Sequence, residues 1–212
     1  MKKLLILLLT LFTLLGCATA FADEPADYRT FSEKRQAAIQ AKAEQERIAL
    51  LPRVGVVYVN DAQTTYNKRI DKFVLENLHE CINSDNYQYV DGLTFIDKLI
   101  DFGLEDLATA ERADIIEALA DENLDYFVYL EIEPITTKSK ATVFSKGKSA
   151  IVNAPIKIID MKRNRTLYNG EITEQGKTTV MIGKIGNKSV ALEGVKRVNA
   201  QVKDILAKRL PK

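Results

Sequence analysis

Apolar residues run almost unbroken from Leu4 to Leu15, thin out between residues 26 and 50, and from Arg53 onward fall into strand and helix periods. Arg53-Val54-Gly55-Val56-Val57-Tyr58-Val59 is apolar at both parities, which predicts a central strand covered on both faces and closed by Asn60-Asp61. From Tyr66 to Ile82, apolar residues recur at Ile70, Phe73, Val74, Leu78, Cys81 and Ile82, the spacing of a helix with one face on a sheet. Tyr87 to Val90 alternates as a second strand before the Asp91-Gly92 turn. Leu93 to Ile100 and Ala110 to Ala120 predict two further helices, the second capped by Thr109. Asp125 to Glu133 is the strongest strand in the chain, stopped by Pro134.

Beyond Pro134 the pattern changes to short antiparallel strands at about residues 141–146, 150–159 and 165–173, the second with Pro155 marking an edge or a bulge. Ser189 to Leu210 reads as a long amphipathic helix with Ala191, Val195, Val198, Val202 and Ile205 on one stripe and Pro211 past its end. The order predicts an α/β (α+β) domain: a mixed sheet with a β-α-β opening, an antiparallel meander and a long C-terminal helix packed on it.

Three segments carry a resemblance: Val54-Gly55-Val56-Val57-Tyr58-Val59-Asn60, Asp125-Tyr126-Phe127-Val128-Tyr129, and the hairpin from Ile156-Lys157-Ile158-Ile159-Asp160 to Leu167-Tyr168-Asn169-Gly170. Over about residues 53–209 the chain resembles a group of bacterial envelope α/β domains. The group comprises the N-terminal domain of the Tol-system propeller protein, the lipoprotein activators of penicillin-binding proteins, and the curli-secretion lipoprotein. The resemblance implies binding and scaffolding in the envelope rather than chemistry.

The N-terminal segment agrees with that compartment. Lys2-Lys3, the apolar run and the small residues after it form an export signal over residues 1–22, and the run is shorter than the about 20 residues a membrane span requires. Two processing sites compete. Leu14-Leu15-Gly16-Cys17 has the form of a lipobox, which would end the signal at residue 16 and lipidate Cys17; Ala20-Phe21-Ala22 suits ordinary signal peptidase. Residues 23–50, rich in Ala, Glu, Gln, Lys and Arg, read as a helical spacer, and residues 51–212 as a single α/β domain. Apart from Cys17 the only cysteine is Cys81, so no internal disulfide is expected.

Charge balances over the whole chain, with 30 Lys and Arg against 29 Asp and Glu, but not along it. Residues 51–135 hold 6 basic and 18 acidic residues, whereas residues 136–212 hold 17 and 5. Either the halves interleave and cancel, or the second half presents a basic face to an anionic partner such as phospholipid headgroups or an acidic wall polymer. Nucleic acid is not expected in that compartment.

Candidate chemistry is sparse. Gly170 to Thr178 imitates a phosphate loop, but five residues separate its glycines where four are needed and no helix pattern follows; it reads as a strand running into a polar turn. Gly183 to Ser189 leads into the last helix. Free backbone N–H groups there, with Lys177, Lys184 and Lys188 nearby and Gly186, Asn187 and Ser189 in the turn, are the candidate binding residues for an anion. His79 is the only histidine and does not share a helical face with Cys81, which argues against a nucleophile pair and against a histidine-rich metal site. Glu131 and Glu133 share a strand face and Asp101, Glu105 and Asp106 cluster near a turn, the raw material of a glycosidase, yet the chain has no Trp to stack a sugar.

The sequence therefore points to a non-enzymatic exported protein, periplasmic or held by a lipid anchor facing the periplasm or exterior. It would act as a binding, accessory or scaffold domain for an envelope protein or anionic envelope polymer, through a sheet edge or its basic C-terminal half. A binding protein for an anionic small molecule or polymer is the alternative, and a carboxylate-dependent glycan hydrolase the third reading. No cofactor and no metal are expected.

Overall fold

The computed structural model describes residues 26–83, 85–141, 146–180 and 186–211. Both expected processing sites, with Cys17, lie outside the described residues. Helix α1 (Ala26–Ala49) is built from strong helix formers and belongs to a unit of its own that runs to Arg47. It carries i,i+3 and i,i+4 ion pairs on its surface, Arg47 with Glu44 and Lys42 with Glu46.

The domain from Ile48 onward is a six-stranded mixed sheet flanked by helices. Strand β1 (Arg53–Asn60) lies between β2 (Gln88–Asp91) and β3 (Tyr126–Ile132), parallel to both. Parallel neighbours need crossovers. Helix α2 (Asn67–Cys81) supplies the first, and α3 (Ile96–Asp101) with α4 (Arg112–Ala118) the second. Strand β5 (Lys146–Asp160) then pairs antiparallel with β3, β4 (Thr136–Ala141) and β6 (Arg165–Val180), and α5 (Asn187–Arg209) closes the domain. The strand order is β2-β1-β3-β5-β4, with β6 along the other side of β5.

Two cores sit on opposite faces of this sheet. On one, Ile70, Val74 and Leu78 of α2 and Val195, Val198, Val202 and Leu206 of α5 pack against Val54, Val56, Val128, Leu130 and Ile158. On the other, Leu99 of α3 and Ile115 of α4 pack with Phe95 and Leu119 against Val57, Phe127, Tyr129 and Ile159. Phe127 and Val128 are both fully buried, which is why β1 and β3 are apolar at both parities.

The structure corrects the sequence reading in the second half. The strand expected at about residues 141–146 is β4, which ends at Ala141; residues 142–145 lie outside the described residues. Pro155 marks neither an edge nor a bulge. It stands in a central strand, at the break where β3 pairing stops at Ile156 and β4 pairing begins at Ile151, so its missing N–H interrupts no ladder; the irregularity falls at Ile158/Ile159 instead. β6 does not turn after Thr173 but continues to Val180, because the N-terminal half of β5 gives it a partner throughout. Thr109 does not cap α4. Its hydroxyl donates to Asp106 Oδ2 at 2.8 Å, and Glu111 occupies the cap with no side-chain bond.

Helix α5 meets the sheet where Gly176 of β6 faces Val190 and Gly194. A Cβ on Gly176 would lie 1.9 Å from the Val190 carbonyl oxygen and 2.7 Å from the Gly194 nitrogen, and one on Gly194 would lie 2.6 Å from Val152 Cγ2. Backbone cannot yield as a flexible side chain can, so Gly176→Ala is expected to lift the helix and cost about 3 kcal/mol or more. Gly186→Ala, with nothing within 4 Å of its Cβ, is the steric control and should cost no more than about 1 kcal/mol, the loss of a glycine at the N-cap of α5. Denaturant midpoints of the two variants check this.

Candidate functional site

The distal halves of β5 and β6 and the whole of β4 form a three-stranded antiparallel arm whose two faces differ. On one, Ala150 packs with Val190 and Ala191, and Gly176 is pressed against α5. Directly paired residues of antiparallel strands share a face. Lys138 pairs with Ser149, and Ser149 with Lys177, so both lysines stand on the face away from α5, as does Lys140, two residues from Lys138. One intervening strand puts Lys138 and Lys177 about 10 Å apart, and two residues of strand put Lys138 and Lys140 about 7 Å apart.

This face is open and shallow. A depression of about 620 Å³ is lined by Lys138, Ser139, Lys140, Gly147, Lys148, Ser149, Gln175, Lys177 and Thr179, with no carboxylate; of its lysines, Lys138, Lys140 and Lys177 stand on this face. Lys138, Lys140 and Lys177 are exposed and make no ion pair among the described residues. Along β6 the first acid on the same face is Glu171, about 20 Å of strand from Lys177. Elsewhere the acidic and basic halves do meet: Lys203 pairs with Glu80 of α2, and Lys162 with Asp125.

The residues singled out from the sequence divide between the two sides of the arm. Lys177 stands on the open face. Lys184 lies outside the described residues. Gly186, Asn187, Lys188 and Ser189 are exposed at the start of α5, on the other side, where Lys148 Nζ donates to Asn187 Oδ1 at 2.6 Å. Gly186 is the N-cap residue of α5 and offers no side chain to the first turn, while the Ser189 hydroxyl donates to its carbonyl at 2.9 Å. Sequence reasoning missed Lys138 and Lys140. Their i,i+2 spacing in a segment read as loop was the available signal, and it becomes a shared face only once the segment is known to be a strand.

The other chemistry-bearing residues are engaged structurally. His79 stacks on Tyr89 with ring centroids 4.1 Å apart, and burial pushes the Cys81 thiol up from its ordinary value. Glu131 accepts from the Tyr129 hydroxyl on a strand that is central rather than an edge. Gly170 to Thr178, the imitation phosphate loop, is regular β6. Among the described residues no group of His, Cys, Asp and Glu could hold a metal ion.

No protein-family model and no curated protein matches this sequence. Solved structures similar to the chain include a lipoprotein of Neisseria meningitidis, at 12% identity, TM-score 0.40, covering 72% of this chain and 99% of that one. The C-terminal domain of LpoB from Salmonella enterica is similar at 12% identity, TM-score 0.33, over 57% of this chain and 81% of that one. TolB from Acinetobacter baumannii is similar at 11% identity, TM-score 0.35, over 76% of this chain and 28% of that one.

One buried cation holds the sheet's other face together. Lys157 of β5, 4% exposed, donates from Nζ to the carbonyls of Leu107 at 2.8 Å and Ala110 at 2.7 Å, tying the segment between α3 and α4 to the sheet. Burial draws its pKa below the ordinary lysine value, and the Asp106 carboxylate pushes it partly back. Lys157→Met keeps the stem's packing but leaves both carbonyls unpaired, so a loss of about 2 kcal/mol is expected in chemical unfolding. The same variant should leave any binding at the lysine face of the arm unchanged.

Proposed function

We propose that this chain is an exported, non-enzymatic protein of the cell envelope whose α/β domain serves as a binding or accessory module. On this reading it holds another envelope component against the open face of the β4–β5–β6 arm. The observation that carries it is the arm's lysine face, where Lys138, Lys140 and Lys177 stand exposed beside a depression that no carboxylate lines. Unpaired lysines at about 7 to 10 Å intervals attract an extended anionic surface through many weak contacts. The shallow, open form supports an acidic protein surface or an anionic envelope polymer over the small anionic molecule of the alternative reading. Export rests on the N-terminal pattern of residues 1–22, and the choice between lipidation at Cys17 and cleavage after Ala22 is read directly from the mass of the mature N-terminal peptide.

Binding of the mature chain to solubilised envelope material at low and high ionic strength tests the reading. At about 1 M salt the screening length is about 3 Å, so an association held by these lysines should fall by on the order of tenfold or more. Lys138→Glu with Lys177→Glu, both on exposed positions, should abolish it at low salt while thermal stability is unchanged. Binding that survives charge reversal would remove the arm from the account.

A further inference from the structure

A second site, of different chemistry, lies across the sheet from the arm. β1 pairs with β3 as far as Asn60–Ile132, but with β2 only as far as Val56–Asp91, where the chain leaves the sheet into the turn Gly92–Thr94. Among the described residues the end of β1 therefore has a strand neighbour on one side only. Asp61 N–H donates to the Ile132 carbonyl at 2.9 Å, which sets the odd-numbered residues of β1 toward β3. By strand alternation, the backbone N–H and C=O of Tyr58 and Asn60 point the other way, to the side that β2 has vacated.

That side is a slot rather than open surface. A cavity of about 220 Å³ lies there, walled by β1 itself, by Leu75 of α2, by Tyr89 of β2, by Leu93 in the turn and by Ile96 after it. Leu93, 79% exposed, stands at the rim of this cavity with its apolar side chain open to solvent. Asp91 is exposed on the rim, and Asp71 accepts from Tyr58 Oη at 3.3 Å and Asn60 Nδ2 at 2.5 Å.

These features select one kind of occupant. A lipid tail or small apolar molecule in the slot would strip water from the main-chain groups of Tyr58 and return no hydrogen bond, at the cost of leaving buried polar groups unpaired. Another main chain offers donors and acceptors at the alternation those groups require. We propose that the slot receives an extended segment of a partner polypeptide, laid against β1 in continuation of β2. Its main chain bonds Tyr58 and Asn60, an apolar side chain enters between Leu75, Tyr89, Leu93 and Ile96, and a basic residue sits beside Asp91. The site is independent of the arm, and neither requires the other.

Amide hydrogen exchange of the mature chain tests it in two stages. Without any ligand, Tyr58 and Asn60 should exchange faster than Val57 and Val59 by on the order of tenfold or more, since only the latter pair donates to β3. Selection from a library of linear peptides should then return sequences alternating apolar and basic residues. The bound peptide should slow exchange at Tyr58 and Asn60, fail to bind Leu93→Asp, and lose binding when its own alternate amides are N-methylated. Arm variants Lys138→Glu with Lys177→Glu should bind the peptide as the parent does. Equal protection of all four residues without ligand, selected peptides that leave Tyr58 and Asn60 unchanged, or binding indifferent to N-methylation would each overturn the proposal.

Discussion

The approach of α5 to the arm at Gly176 and Gly194 is the constraint on which the rest of the domain hangs. With no Cβ on either residue the helix backbone reaches the strand backbone, and Val190, Ala191, Val195 and Val198 are carried down onto β5 and β6. That contact consumes one face of the arm. Lys138, Lys140 and Lys177, on the face of Ser149, are then left with no helix to cover them, so the basic surface of the arm is a consequence of how the helix docks. Asn199 extends the same docking to α2, donating from Nδ2 to the Phe73 carbonyl at 2.8 Å while its own carbonyl accepts from Asn77 at 3.2 Å. The first crossover helix and the last helix thus form one layer over the sheet.

Much of the first half was legible in the sequence, because burial there is strong and periodic. β1 and β3 are apolar at both parities as strands between two helical layers must be, and α2 shows its stripe at Ile70, Val74 and Leu78. The second half was harder to read for a physical reason. An arm with one face open to solvent carries Lys, Ser, Thr and Gln there, and on its other face needs glycine and alanine to admit α5. Polar residues alternating with Gly176 and Ala150 resemble a turn-rich loop, so β6 was cut short and β4 displaced. The anion site expected at the start of α5 was assembled by proximity in sequence. Strand parity places Lys177 on one side of the arm and Asn187 to Ser189 on the other.

The charge asymmetry along the chain resolves into two outcomes in the fold. Where α5 and the β5–β6 turn pass over the first half, basic residues find acids, as Lys203 does at Glu80 and Lys162 at Asp125. Where the arm extends beyond β3, Lys138, Lys140 and Lys177 make no ion pair among the described residues. The end of the sheet where β1 runs on past β2 and the basic arm are therefore separate surfaces of one domain. An accessory role needs such a scaffold more than it needs a reactive group.

Site-specific photocrosslinking in living cells tests the central claim most directly. A photoreactive residue at Gln175, in the middle of the lysine face, should give one recurrent adduct with an envelope component, while the same probe at Glu117 on the outer surface of α4 should give none. An adduct from Glu117 with none from Gln175 would mean that the arm is not the surface through which this protein works.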